Sequence, residues 1–369
     1  MKRPHDRRQR FLPGVPVLLI TALFALGSCA AASGHDGSTP SSAPTPSAAP
    51  FWQTATARVS AALAPSDSSL HTFDAPSPTP LASAAATATP GAPGGNVASS
   101  LSDDPPSNAA QPPSGSQLLD RTFLSAALGR VMHYFIYLPA GYTESGRQYP
   151  VLYMLHGYGG SNTEWIAYGF PETADKMMNG GEIPPMIIVL PQGDQAYWVN
   201  HADDGQRWGD YAAQDVVQYI DATYRTIADP QHRAIGGLSM GAQGAMQLAM
   251  NYPGVFGAIG MHSPTLRDYQ SMSDFVGFFG DEAYFDAHDP VHLVQQYPDR
   301  ARQLKIFLDV GEQDTAWHDS VASFHDLLTQ LIIPHEWHTW PGVHDGAYWG
   351  GHSADYLRFY AAALSGYNT

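Results

Sequence analysis

The feature that most constrains this chain is an alternation of two periodicities between Arg130 and Leu364. Short apolar runs recur as RVMHYFIYLP (Arg130–Pro139), PVLYMLHG (Pro150–Gly157), PMIIVLP (Pro185–Pro191), RAIGGLS (Arg233–Ser239), FGAIGMHS (Phe256–Ser263), KIFLDVG (Lys305–Gly311) and HEWHTW (His335–Trp340). Their β-branched and aromatic content predicts strands. Longer stretches at Asp210–Ile227, Gly241–Asn251, Asp319–Ile332 and Ser353–Leu364 place apolar residues at helical spacing, with Val216, Val217, Ile220 and Tyr224 on one face of the first. Strands apolar along their whole length, each followed by a helix, predict an α/β fold with a mainly parallel central sheet and helices on both faces. In such sheets ligands bind beyond the carboxyl ends of the strands. Function is to be sought there.

These units occupy residues 117–369, about the length of one large domain. Residues 29–116 are of another kind, almost entirely Ala, Ser, Pro, Thr and Gly. So few large apolar side chains cannot offset the entropy of ordering, and the stretch reads as a disordered tether. One patch, FWQTATARVSAALAP (Phe51–Pro65), breaks that monotony without an assignable role. Residues 1–28 combine a basic start with an apolar run of only about 16 residues, interrupted by Pro13 and Pro16. That is too short for a membrane span and predicts an export signal. It ends in LGSC, a pattern resembling the lipobox of bacterial lipoproteins, in which Cys29 becomes the lipidated N-terminus. The expected location is the cell envelope, lipid-anchored to the membrane, with the domain outside the cytoplasm. Cys29 is the one cysteine, so no internal disulfide is available. The chain carries 34 acidic against 18 basic residues, a formal net charge of −16. Loss of the leader would remove Lys2, Arg3, Arg7, Arg8 and Arg10 against Asp6 alone, leaving it more acidic still. This balance argues against nucleic acid as a partner and favours neutral substrates.

GGLSMGAQGA (Gly236–Ala245) lies where a strand should meet a helix. In that context G-x-S-x-G predicts a sharp turn that exposes Ser239, with Gly237 and Gly241 leaving room for the crossing backbones. A serine hydroxyl needs a base to take its proton. In the chain order Ser, Asp, His, the carboxylate should follow a later strand and the histidine the last one. GEQDTAW (Gly311–Trp317) offers Asp314, with Glu312 as a weaker rival; Asp309 is still within its strand and is expected to be held there. PGVHDGAYWGGH (Pro341–His352) offers His344 directly after the strand, and His352 at the start of the final helix. HEWH (His335–His338) lacks the helical H-E-x-x-H spacing of a zinc site, so neither metal nor other cofactor is expected. An oxyanion requires converging N–H donors. HGYGGS (His156–Ser161), at the end of a strand, places the Tyr158 amide as one candidate and the Met240 amide, after Ser239, as the other.

PVLYMLHGYGGSNTEW, IGGLSMGAQGA, LDVGEQDTAW and PGVHDGAYW together resemble the esterase D-type α/β-hydrolases, a group with feruloyl and acetyl-xylan esterases, S-formylglutathione hydrolase and mycolyltransferases. The resemblance implies that Ser239, Asp314 and His344 form a catalytic triad, that Tyr158 and Met240 are oxyanion donors, and that FFGDEAYFDAHDP (Phe278–Pro290) is an insertion over the site. Trp165, Trp198, Trp208, Trp317 and Trp349 all follow predicted strands, where they suit either sugar and phenolic rings or core space. The expected activity is a serine carboxylic-ester hydrolase acting on neutral esters, acyl or feruloyl esters of carbohydrates foremost. An acyltransferase using the same acyl-enzyme, and a non-catalytic glycan- or protein-binding lipoprotein, are the alternatives.

Overall fold

The computed structural model describes residues 115–365. The leader, Cys29 and nearly all of the expected tether lie outside these residues. The eight strands are β1 (Gln117–Ser125), β2 (Arg130–Leu138), β3 (Val151–Leu155), β4 (Ile187–Pro191), β5 (Arg233–Leu238), β6 (Ala258–His262), β7 (Lys305–Gly311) and β8 (Glu336–Trp340). They form one sheet in the order β1-β2-β4-β3-β5-β6-β7-β8. Its first two pairings, β1 with β2 and β2 with β4, are antiparallel, and every other pairing is parallel. The mainly parallel α/β sheet expected from the repeated strand–helix units, and the α/β-hydrolase fold implied by the resemblance, are the architecture found.

Among the described residues the helices of eight or more residues are α1 (Phe170–Asn179), α2 (Val216–Thr223), α3 (Met240–Asn251), α4 (His318–Gln330) and α5 (Ser353–Leu364). Every residue of β3, β4, β5 and β6 is buried, so alternate side chains enter two separate cores. Val151, Tyr153 and Leu155 join Val216 and Ile220 of α2, Met246 and Leu248 of α3, and Phe324 of α4 on one face. Leu152 and Met154 join Phe170 and Met177 of α1 and Tyr356, Leu357 and Tyr360 of α5 on the other. Among the described residues no helix is long and apolar enough to cross a membrane.

One local expectation needs correction. The helix expected over Asp210–Ile227 begins in a short α-helical turn at Trp208–Asp210, passes through a π-helical turn at Tyr211–Asp215 and is α-helical again in α2. It stops at Thr223 because Arg225 O and Ile227 N are taken by the backbone of Tyr149. The segment between β6 and β7 holds short helices at Tyr269–Phe275, Glu282–Asp286 and Pro290–Gln296. Each is opened by an aspartate (Asp268, Asp281 or Asp289) accepting the N–H three residues on.

Candidate active site

Ser239 joins the end of β5 to the start of α3 with φ 56° and ψ −117°, a backbone that non-glycine residues rarely adopt. The turn is tight enough to exclude side chains beside it. A Cβ on Gly237 would lie 2.5 Å from the Gly241 carbonyl carbon, and one on Gly241 would lie 2.5 Å from Leu155 O. The serine is thereby raised at the carboxyl edge of the sheet and anchored by its own N–H to His262 O.

His344 follows β8, and its Nε2 lies 2.9 Å from Ser239 Oγ. Its Nδ1 is 2.7 Å from Asp314 Oδ2. Asp314 is buried in the β7–α4 loop, where its carbonyl accepts the Trp317 and His318 amides. The imidazole is a quarter exposed and the carboxylate sealed, so solvent reaches the ring but not the carboxylate that holds it. Glu312 is exposed, its carboxylate meeting the Gln313 amide. His352 stacks on Trp340 at 4.1 Å instead of facing the serine.

The other candidates divide. Met240 opens α3, so its amide has no carbonyl one turn earlier to bond. Tyr158 sits in a turn closed by Gly160 N to Gly157 O, and a Cβ on Gly157 would come within 3.4 Å of Ser239 Cβ. Of the tryptophans that follow strands, Trp165, Trp198 and Trp208 are core residues, which corrects the expectation that Trp165 and Trp198 face substrate. Trp165 gives its indole N–H to Leu155 O, Trp198 fills the space over Gly193 and Gly244, and Trp208 bonds Gln206. Trp349 is buried edge-on against His344 at 4.9 Å with its N–H toward Ser263 Oγ. Half-buried Trp317 lies 6.2 Å from the His344 ring.

Two residues of the HGYGGSNTEW segment went unassigned in the sequence. His156 is buried, and burial pushes its pKa down to about 4. Gly193 N–H donates to Nε2, so the neutral ring carries its proton on Nδ1 and gives it to Gly157 O. Glu164 takes the Gly157 N–H at 2.7 Å on Oε2 and the Tyr168 hydroxyl at 3.1 Å on Oε1. Burial raises its pKa, partly offset by those bonds and by His344. Both hold the turn that carries Tyr158.

Asp309 is committed to the interior, as its place in β7 suggests. Fully buried, it accepts from His262 at 2.7 Å, Tyr348 at 2.9 Å and Tyr356 at 3.1 Å, while Tyr360 bonds the far nitrogen of His262. Burial, then the Asp309 charge, holds all three phenols protonated. On the loop after β4, His201, Asp203 and Asp204 lie close enough to share a cation, with both carboxylates exposed. Nothing in that group points to a ligand.

A family model described as "Putative esterase" matches residues 125–360. An esterase of Mycobacterium tuberculosis is 32% identical over 256 residues, covering 60% of this chain and 54% of the relative. The chain thus spans about half the length of that curated relative. An endo-1,4-beta-xylanase/feruloyl esterase of Xylanibacter ruminicola is 31% identical over 150 residues, 38% of this chain and 21% of the relative. Among solved structures, a ferulic acid esterase superposes with a TM-score of 0.61 at 25% identity, over 68% of this chain and 99% of the other. S-formylglutathione hydrolase from Staphylococcus aureus shares the fold, with a TM-score of 0.57 at 21% identity over 67% of this chain and 100% of its own. With nearly the whole of the described domain matched by its model, the chain belongs to this esterase family.

Proposed function

We propose that the protein is a serine carboxylic-ester hydrolase acting through a covalent acyl-enzyme on acyl or feruloyl esters of carbohydrates. The observation that carries the reading is the hydrogen-bonded series Ser239–His344–Asp314 at the carboxyl edge of the sheet. Ser239 Oγ attacks the ester carbonyl while His344 Nε2 takes its proton. The carbonyl electrons move onto oxygen, where the amides of Met240 and Tyr158 receive them. As the C–O bond to the alcohol breaks, His344 returns the proton to the departing oxygen. Water, deprotonated by the same nitrogen, then cleaves the acyl-enzyme and restores the serine. Asp314 holds the ring with Nδ1–H inward, leaving Nε2 free to act as base. The feruloyl esterases among the relatives and solved structures support the choice of acyl group.

Labelling by a fluorophosphonate probe tests the reading, run beside hydrolysis of methyl ferulate, acetylated xylan and 4-nitrophenyl esters of rising chain length. Labelling and hydrolysis that both vanish in Ser239→Ala are expected. Hydrolysis that survives this substitution would overturn the mechanism. The same proposal places the domain outside the cytoplasm on a lipid attached to Cys29, supported by the LGSC leader. Metabolic labelling with an alkynyl fatty acid should mark the wild type and not Cys29→Ser.

A further inference from the structure

Five of the arginines on this acidic chain meet carboxylates: Arg130 with Asp194, Arg207 with Asp210, Arg233 with Asp221, Arg302 with Asp299, and Arg358 with Glu182 and Asp355. Arg121, Arg225 and Arg300 donate to backbone carbonyls. Arg267, on the segment that follows β6, does neither. Among the described residues no carboxylate lies within ion-pair distance of it, and its buried Nε has no hydrogen-bond partner. A cation left uncompensated in a partly buried position is unfavourable for the free protein. Its surroundings show what it faces.

The guanidinium carbon lies 4.6 Å from the centre of the Trp317 ring and 4.8 Å from that of Phe275. Trp317 is the ring 6.2 Å from His344. Phe275, largely exposed, lies 4.8 Å from the ring of Tyr158, whose amide belongs to the turn beside Ser239. Arg267 is thus the middle of a continuous rim, Tyr158–Phe275–Arg267–Trp317–His344, that runs from the oxyanion turn to the candidate base. Behind the rim, Thr265 N meets Ser239 O at 3.4 Å, which ties the Arg267 segment to the elbow. Burial raises the pKa of the Tyr197 phenol, and the Arg267 charge opposes that rise. The two flanking rings restrain the guanidinium and keep it from reaching a protein carboxylate elsewhere. A planar, permanently charged fork held in this way is suited to a carboxylate.

We propose that Arg267 is a specificity-determining residue that receives a carboxylate on the substrate, so that the site takes esters whose acyl or alcohol part carries a negative charge one aromatic side chain away from His344. The acidic surface as a whole disfavours anions, and this one cation reverses that preference locally. The inference rests on the ester-hydrolase reading for its meaning, but its first test does not depend on turnover.

Tryptophan fluorescence of the Ser239→Ala protein, titrated with benzoate and with its neutral isostere benzamide, reads the site through Trp317. Benzoate is expected to bind at least about tenfold more tightly, the size of effect a charge-assisted hydrogen bond gives. The preference should shrink with added salt, disappear in Arg267→Gln, and persist in part in Arg267→Lys, which keeps the charge without the fork. In the active enzyme, the ratio of kcat/KM for 4-carboxyphenyl acetate to that for 4-carbamoylphenyl acetate, or for methyl hydrogen adipate to methyl hexanoate, should fall toward one in Arg267→Gln. Equal or undetectable binding of benzoate and benzamide by the unsubstituted rim overturns the proposal, as does a preference that survives Arg267→Gln. Loss of all ester hydrolysis with the benzoate preference intact would instead count against the ester-hydrolase reading alone.

Discussion

His344 Nε2 and Ser239 Oγ are 105 positions apart in sequence and 2.9 Å apart in space. The separation is closed by the parallel order of β5, β6, β7 and β8, which brings the loops after β5 and β8 to one edge. Because the serine is the group that would be acylated, Ser239→Ala should lower kcat for a 4-nitrophenyl ester by on the order of 10⁶. The hydroxyl packs against no core cluster, so the thermal midpoint should stay within a degree or two. Steady-state kinetics beside a melting curve check both.

The elbow depends on glycine at two positions. At Gly241 a methyl group would meet the backbone oxygens of Leu155 and His156 at 2.5 and 2.7 Å. Those atoms belong to β3 and its turn and cannot rotate away. Gly241→Ala should therefore lose about 3 kcal/mol or more of stability and most of the activity. Gly351→Ala, where the added Cβ meets nothing within 4 Å, should leave the urea midpoint unchanged.

The strands β3 to β7 could be read in advance because parallel strands buried on both faces are apolar throughout, and antiparallel β2 and the edge strand β8 from their aromatic and β-branched content. β1 could not. Asp120, Arg121 and Thr122 interrupt it, and as the outer strand of the sheet it exposes all three. The loops holding Ser239, Asp314 and His344 follow from strand order alone. The tryptophans show the limit of that logic: a place after a strand fixes the end of the sheet but not the direction of the ring, so Trp165 and Trp317, alike in sequence position, have opposite surroundings. His156 meets Gly193 and Arg267 meets Trp317, neighbours distant in sequence that leave no local pattern to read, while Glu164 holds Gly157 and Tyr168 nearby at a spacing that belongs to no motif.

His156 makes the fold sensitive to acid. Its pKa falls from 6.5 to about 4 because the buried ring is held neutral, with Gly193 N–H occupying the nitrogen a second proton would need. A lowered histidine pKa contributes stability that is complete above pH 6.5, declines as pH falls toward 4, and is lost below it. The full contribution is up to about 3 kcal/mol. Urea midpoints measured between pH 7.5 and 4 should fall more steeply for the wild type than for His156→Gln, whose uncharged amide keeps an acceptor there.

Glu164 sits beneath the turn on which Tyr158 rides, gripping Gly157 N–H at 2.7 Å. Glu164→Ala frees that turn and displaces the candidate oxyanion donor, the Tyr158 amide, without touching Ser239 or His344. The expected result is a fall in kcat of about 10² with little change in KM, the signature of an interaction made in the transition state. A parallel drop in fluorophosphonate labelling rate would place the loss at acylation.

Asp309 and Asp314 lie five positions apart, both buried, and their surroundings assign them different work. Asp314 has the candidate base on one oxygen, and its loop ends at the site. Asp309 lies within β7 and gathers His262, Tyr348 and Tyr356, which join two strands to the C-terminal helices. Asp314→Asn would offer His344 the wrong tautomer and should lower kcat by about 10⁴ with a modest change in melting temperature. Asp309→Ala would strand a buried imidazole and two phenols together and should cost about 3 kcal/mol or more of stability. In a domain of this size, that is a fall of roughly 10 °C in Tm. At a temperature where Asp309→Ala is still folded, its kcat should exceed that of Asp314→Asn by orders of magnitude. If the two variants instead lost activity equally while folded, the buried network under β7 would have to be counted as part of the catalytic machinery.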